Sequence, residues 1–144
     1  MKKNKIIGFI IICTVLLIVT GCKAKSSKMV CTQTNNGVDI TFNIGFKGNI
    51  IDSMDFNYDM DLSNFSDEQI ALLEKQDFCA TVKSAMSTYK DAFTNCEKNI
   101  NNKHLKVSAV LSVDKISKSI MDKMATPEKT KTELEKEGYK CTIK

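Results

Sequence analysis

The chain has 144 residues and a formal net charge of +4, and all 21 of its basic residues are lysines. Three of these lysines lie within the first five residues, so residues 22–144 carry 18 lysines against 17 acidic residues and are close to neutral. A near-neutral domain without arginine or a basic run argues against nucleic acid as a partner, and 123 residues suffice for one hydrophobic core but not for two lobes around a ligand.

The N-terminus has the organisation of a lipoprotein signal. A lysine-rich start precedes an apolar run of 14 residues, 6–19, and a helix that crosses a membrane needs about 20. Val19-Thr20-Gly21-Cys22 then resembles a bacterial lipobox, with small residues before a thiol that can take a diacylglycerol. We therefore predict a signal peptide over residues 1–21 and an acylated, palmitate-bearing Cys22, with an ordinary signal peptide or a short anchor as the alternatives.

This interpretation sets the location and the domain organisation. Residues 22–28 are predicted to be the lipidated cysteine and a short tether, and residues 29–144 a single domain. A tether of six residues spans roughly 20 Å when extended, so the domain must lie close to the bilayer, on its extracytoplasmic face. Lysine-only basicity together with many Asn and Ile residues indicates an AT-rich genome and, with the lipobox, a Gram-positive cell envelope.

The first part of the domain is predicted to be a three-strand antiparallel meander over about residues 28–61. Apolar and polar residues alternate over 38–46 and again over 54–62, which is the pattern of half-buried strands. Asn36-Gly37 is a strong signal for a tight hairpin turn, and Gly48-Asn49 marks the next turn. One face of this sheet should be exposed to water.

Two helices follow, at about 67–76 and 78–91. Ser66 and Gln69 have the spacing of a capping box at the start of the first helix. The apolar positions change phase near Asp77, which can cap the second helix. The break between the helices is therefore placed at this aspartate.

The second half of the domain returns to sheet, with a weakly patterned strand over 93–100 and an alternating strand over 105–113. A short helix is predicted after Asp114. Thr126-Pro127 then begins a further helix, which is predicted to lie on the surface because it has a single apolar residue. A final strand is predicted over 139–143.

The element order is therefore βββ-αα-ββ-αα-β, which predicts an α+β fold: an antiparallel sheet of five to six strands with helices packed on one face. The core residues are expected to be those that alternate on the strands and recur on the second helix. They are Val38, Ile40, Phe42, Ile44, Phe56, Tyr58, Leu105, Val107, Leu111, Val82, Met86 and Tyr89.

Three segments resemble the YehR-like lipoproteins, a family of small bacterial lipoproteins with an α+β domain. They are Val19-Thr20-Gly21-Cys22, the alternating strands up to Asp61-Leu62-Ser63, and Thr126-Pro127-Glu128 followed by Leu134-Glu135-Lys136-Glu137-Gly138-Tyr139-Lys140-Cys141. The family has no settled activity, so the resemblance implies a lipid anchor and the fold class but neither a substrate nor a catalytic residue.

Four cysteines follow Cys22, namely Cys31, Cys79, Cys96 and Cys141. They form no Cys-x-x-Cys pair that would favour zinc, and disulfides are the default outside the cytoplasm. Because the first and last strands of a sheet often meet, we predict Cys31–Cys141. Cys79–Cys96 then requires the chain to run back beside its own helix, since a straight helix would separate the pair by about 25 Å. The rival pairing, Cys31–Cys96 with Cys79–Cys141, stays open, as do free thiols.

No metal, cofactor or catalytic residue is predicted. The acidic stretch Asp52–Asp67 has oxygen ligands suited to calcium, but its aspartates recur at a spacing of two, as on a solvated sheet face. His104, beside a turn, is interpreted as an exposed residue. The methionines either line an adaptable binding face or, in the preferred interpretation, belong to the core; they are Met54, Met60, Met86, Met121 and Met124.

We therefore expect a membrane-anchored extracytoplasmic lipoprotein with a non-enzymatic binding or envelope-associated role. Its partners would be the lipid bilayer, through acylated Cys22, and an envelope protein or ligand. The alternative is an envelope hydrolase or a hydrolase inhibitor that acts through the polar face of the sheet. An enzyme would bring titratable groups together in a cleft, so the surroundings of His104 distinguish the two hypotheses.

Overall fold

The computed structural model describes residues 24–144, so the predicted signal peptide and Cys22 lie outside the described residues. The fold is α+β, as predicted: six antiparallel strands form one sheet in the order β4-β5-β3-β2-β1-β6. The strands are β1 (Ser26–Asn35), β2 (Val38–Lys47), β3 (Ile50–Asp61), β4 (Phe93–Asn101), β5 (His104–Leu111) and β6 (Lys140–Ile143). The helices are α1 (Asp67–Lys75), α2 (Phe78–Ala85), α3 (Lys118–Lys123) and α4 (Pro127–Lys136), with 3₁₀ turns at Ser87–Tyr89 and Val113–Lys115.

Residues that accept a left-handed backbone make the hairpin turns. Asn36 and Gly37 have φ of 52° and 78°, and Asn102 and Lys103 have φ of 50° and 59°, as a type I′ turn requires at both central positions. The predicted meander is confirmed, with β1 beginning at Ser26, inside the segment assigned to the tether.

The pairing of β2 with β3 shifts register between Gly45 and Phe46. A Cβ atom at Gly45 would collide with the hydroxyl of Ser53 on the neighbouring strand, so a larger residue here would require the Ser53 side chain to rotate. The irregularity lets Ile51 and Met54 both be buried, although they are three residues apart.

The buried side chains lie on one face of the sheet, beneath the helices. Of the predicted core, Phe42, Ile44, Phe56, Val82, Leu105, Val107 and Leu111 are buried, and Val38, Ile40, Tyr58, Met86 and Tyr89 are half-buried. The same cluster takes in side chains from all four helices. The opposite face of the sheet is solvated, so helices pack on one side alone.

The helix starts follow the predicted caps. The Ser66 hydroxyl accepts from the Gln69 amide while the Gln69 side chain accepts from the Ser66 amide. Asp77 Oδ1 accepts from the amide of Ala80 at 3.0 Å. These contacts satisfy amides that the helix itself leaves without partners.

Lys98 fastens α1 to the sheet. Its Nζ donates to the carbonyl oxygens of Leu73, Glu74 and Gln76 at 3.3, 2.7 and 2.7 Å. A cation at a helix C-terminus satisfies carbonyls that have no partner in the helix and interacts favourably with the helix dipole. This contact matters because α1 has no buried residue of its own.

Two disulfides join the elements, and both are pairs predicted from the sequence. Cys31 and Cys141 lie directly opposite each other on β1 and β6, with Cα atoms 4.0 Å apart. Lys28 and Lys144 exchange both backbone hydrogen bonds, so by alternation the Cys31–Cys141 pair is a non-hydrogen-bonded one, in which side chains are closest. Cys79 in α2 is bonded to Cys96 in β4, with Cα atoms 5.9 Å apart.

Two predicted boundaries are wrong. The second helix ends at Ala85 instead of residue 91, because the chain turns through Ser87–Tyr89 to bring buried Phe93 into the sheet. Residue Val113 belongs to a 3₁₀ turn and not to β5.

Helix α4 was predicted to lie on the surface, but it buries a stripe of Pro127, Thr130 and Leu134. Thr130 is fully buried, and its hydroxyl hydrogen-bonds to the carbonyls of Met124 and Thr126. A polar side chain satisfied in this way occupies a core position without the cost of an unpaired hydroxyl.

Candidate functional site

The solvated face of the sheet carries rows of polar residues set by the strand register. One row runs Asn99, Lys106, Asp59, Asp39 and Thr34 across five strands. The Thr34 hydroxyl donates to Asp39 at 2.6 Å, and Lys106 Nζ lies 3.5 Å from Asp59. The row thus places two aspartates opposite each other, one contacted by a lysine and the other by a threonine hydroxyl.

His104 meets this acidic row in a shallow groove of about 650 Å³. Its Nδ1 lies 2.8 Å from Asp59 Oδ1 in a hydrogen bond. A carboxylate that is hydrogen-bonded to one ring nitrogen orients an imidazole so that the other nitrogen can act as a general acid or base. In residues 24–144, no hydroxyl or thiol is hydrogen-bonded to this ring.

Two further aspartates of the stretch have separate local partners. Asp52 pairs with Lys47 at 2.9 Å. Asp61 accepts from the hydroxyl and the amide of Ser63, and these hydrogen bonds lower the pKa of its carboxyl. Within the described ranges, no three acidic, histidine or cysteine side chains come together as metal ligands do.

A second concavity, of about 280 Å³, lies on the helix side of the sheet. We call it the Met–Tyr pocket, after Met54, Met86, Met124, Tyr89 and Tyr139, whose side chains line it. Pockets that bind small molecules are mostly apolar with a few polar groups. Apolar residues predominate among those that line this pocket, and polar residues among those that line the groove, although polar and apolar atoms share the exposed surface about equally in both.

The floor of the Met–Tyr pocket belongs to the sheet. Ile44 on β2 lies directly opposite Met54 on β3. Phe42, two residues earlier on β2, is buried on the same face of the sheet. The Phe42 ring packs against Phe56 and Tyr139, with centroids 5.4 Å apart in both cases. The floor is therefore rigid, because it is part of the core.

One wall is formed where α2 ends. Ala85 and Met86 close the helix, and the 3₁₀ turn that follows presents Thr88 and Tyr89. The Tyr89 hydroxyl points across the pocket to Met124 Sδ, at 3.9 Å. The early end of α2, which sequence analysis missed, is thus what places Tyr89 here.

The other wall is formed where α4 ends. Gly138, at φ 94°, follows the helix, and the amides of Tyr139 and Gly138 donate to the carbonyls of Leu134 and Glu135. This is the Schellman pattern, for which glycine suits the left-handed position. It turns the chain so that Glu137 and Tyr139 both line the pocket.

The electrostatics of the pocket centre on Glu137. Burial raises the pKa of Tyr89 and of Tyr139, and the negative charge of Glu137 raises both further. Among the described residues, Glu137 is the one charged residue that lines the pocket. The cavity therefore combines apolar and aromatic residues with a single negative charge.

The preferred interpretation of the five methionines as core residues holds, since Met54 and Met124 are buried and Met60, Met86 and Met121 pack against the core. Met54, Met86 and Met124 also line the pocket, while Met60 and Met121 do not. Glu137 and Tyr139 were not predicted as site residues, and the available signal was Gly138, a glycine that ends the helix and reverses the chain.

No protein-family model matches the chain, and no curated protein matches it. Among solved structures, an NMR structure of a protein from Streptococcus pneumoniae TIGR4 is similar, with a TM-score of 0.46 and 13% identity. The similarity covers 82% of this chain and 86% of that one, and at this level it carries no functional information. No helix within residues 24–144 has the length and apolarity needed to cross a membrane.

Proposed function

We propose that this chain is a lipid-anchored, extracytoplasmic domain that binds a small, mainly apolar ligand in the Met–Tyr pocket and does not act as an enzyme. The observation that carries the proposal is the pocket itself. Its volume of about 280 Å³ lies just below the usual range for ligand sites, about 300–1,000 Å³, and suits a small ligand. Three methionines give its walls the adaptable, polarisable character of a binding surface.

The anchor and the pocket are close together along the chain. Strand β1 begins at Ser26, four residues after Cys22, and Met29 on β1 lies opposite Ile44 of the pocket floor. Seven residues separate Cys22 from Met29 and span at most about 25 Å. An acylated Cys22 would thus hold the pocket near the bilayer surface.

We also propose membership of the YehR-like lipoproteins, supported by the lipobox Val19-Thr20-Gly21-Cys22 and the helix-to-strand segment 126–141. The composition supports a Gram-positive cell envelope as the location. An envelope hydrolase or hydrolase inhibitor remains the second candidate, because His104 and Asp59 are hydrogen-bonded in a groove on the polar face. That function would leave the Met–Tyr pocket unused.

The anchor is tested by Cys22→Ala in the full-length chain expressed in a Gram-positive host. We expect the variant to be lost from the membrane fraction, because the thiol that accepts the lipid is gone. Its intact mass should lack the diacylglycerol. Cys13→Ala, inside the predicted signal peptide, is the matched control and should be lipidated normally. Unchanged fractionation and intact mass of Cys22→Ala would contradict the anchor.

Binding is tested with Ala85→Phe in the chain from Ala24 to Lys144, which contains all six strands and both disulfides. Ala85 lines the pocket but is exposed, so phenylalanine should fill the space without disturbing the core. We expect at least about tenfold weaker binding of cyclohexylmethanol, a loss of about 1.4 kcal/mol, measured by ligand-observed NMR.

Ala80→Phe, at an exposed position of the same helix outside the pocket, is the control for added apolar surface and should bind like the unchanged protein. Equal binding of cyclohexylmethanol by Ala85→Phe and the unchanged protein would show that the pocket is not the binding site.

A further inference from the structure

Glu137 differs from the other carboxylates near the end of α4. Glu133 is paired with Lys136 at 2.6 Å, and Glu135 with Lys131 at 3.7 Å. Glu137 has no ion pair or side-chain hydrogen bond within residues 24–144. A negative charge at the rim of an apolar pocket is thus left available for a ligand.

The surroundings of this carboxylate also favour positive charge. Tyr89, Tyr139 and Phe42 line the same pocket, and the faces of aromatic rings attract cations. Glu137 caps the C-terminal end of α4, where the helix dipole is negative. Among the described residues no lysine lines the pocket, so nothing in its walls opposes a cation.

We propose that the ligand is a small organic cation, an ammonium compound with a compact aliphatic or aromatic body. The body would occupy the space between the methionines, and the ammonium group would lie at the rim against Glu137 and the two tyrosines. This inference rests on the proposed function, because it names the ligand class for the same pocket. An anionic ligand would meet the charge of Glu137 and be rejected.

The test uses three probes that share one ring and differ in charge: cyclohexylmethylammonium, cyclohexylmethanol and cyclohexanecarboxylate. Their dissociation constants are measured at neutral pH by calorimetry or NMR on the chain from Ala24 to Lys144. We expect the cation to bind about tenfold more tightly than the neutral alcohol, the gain typical of a cation beside aromatic rings and a partly exposed carboxylate. The carboxylate probe should bind more weakly than the alcohol.

Glu137→Gln should reduce this preference severalfold, because only the aromatic rings are then left to attract the cation, while the affinity for cyclohexylmethanol stays unchanged. Glu135→Gln makes the same change in net charge two residues away, outside the pocket, and should keep the preference. If the unchanged protein binds the alcohol as tightly as the cation, or if Glu137→Gln keeps the full preference for the cation, the inference is wrong. The proposal that the pocket binds a ligand is not affected by either result. If none of the probes binds, the proposed function is wrong as well.

Discussion

Replacing Cys31 and Cys141 together by alanine should lower the free energy of unfolding by about 5 kcal/mol in the chain-entropy model. The disulfide joins residues 110 positions apart, so without it the unfolded chain gains the entropy of a very long open loop. It also links β1 to β6, a strand of four residues at the edge of the sheet. The measurement is equilibrium denaturation by urea.

The second disulfide is the matched control. Cys79 and Cys96 are 17 residues apart, and the same model gives about 3 kcal/mol for their replacement by alanine. If replacing Cys31 and Cys141 lowered the free energy of unfolding by no more than replacing Cys79 and Cys96, the larger stabilisation expected from the longer loop would be contradicted.

Phe42→Ala should lower the free energy of unfolding by about 3–5 kcal/mol, the usual cost of removing a buried aromatic ring. Phe42 is 5% exposed and packs against Phe56 and Tyr139. The substitution should also weaken ligand binding, because it removes part of the pocket floor. Denaturation monitored by circular dichroism measures the stability.

Thr41→Ala, on the neighbouring position of β2 and on the polar face, is the control and should change stability by no more than about 0.5 kcal/mol. A change for Phe42→Ala within that same range would mean that the buried face of β2 has been assigned wrongly.

The sheet could be predicted because its signals are local. Alternation of apolar and polar residues gave the strands, and Asn36-Gly37 gave the first hairpin. The pairing of Cys31 with Cys141 followed from the position of the two cysteines on the first and last strands. Each of these features depends on the spacing of a few residues or on the order of the strands.

The helix side was predicted less well because its contacts are not local. Thr130 gives no sequence signal for burial, since its two acceptor carbonyls are known only once α3 and α4 are in place. The role of Lys98 depends in the same way on where α1 ends. The pocket itself is formed by residues from Phe42 to Tyr139, which no motif connects.

The methyl NMR signals of the methionines test the ligand pocket most directly, because they report contact residue by residue. Met54, Met86 and Met124 line the pocket, and Met60 and Met121 lie outside it. When cyclohexylmethanol is added to methyl-labelled protein, we expect the signals of the three pocket methionines to shift and the signals of Met60 and Met121 to change little. Shifts of the same size for all five, or no shift at the solubility limit of the probe, would contradict this expectation.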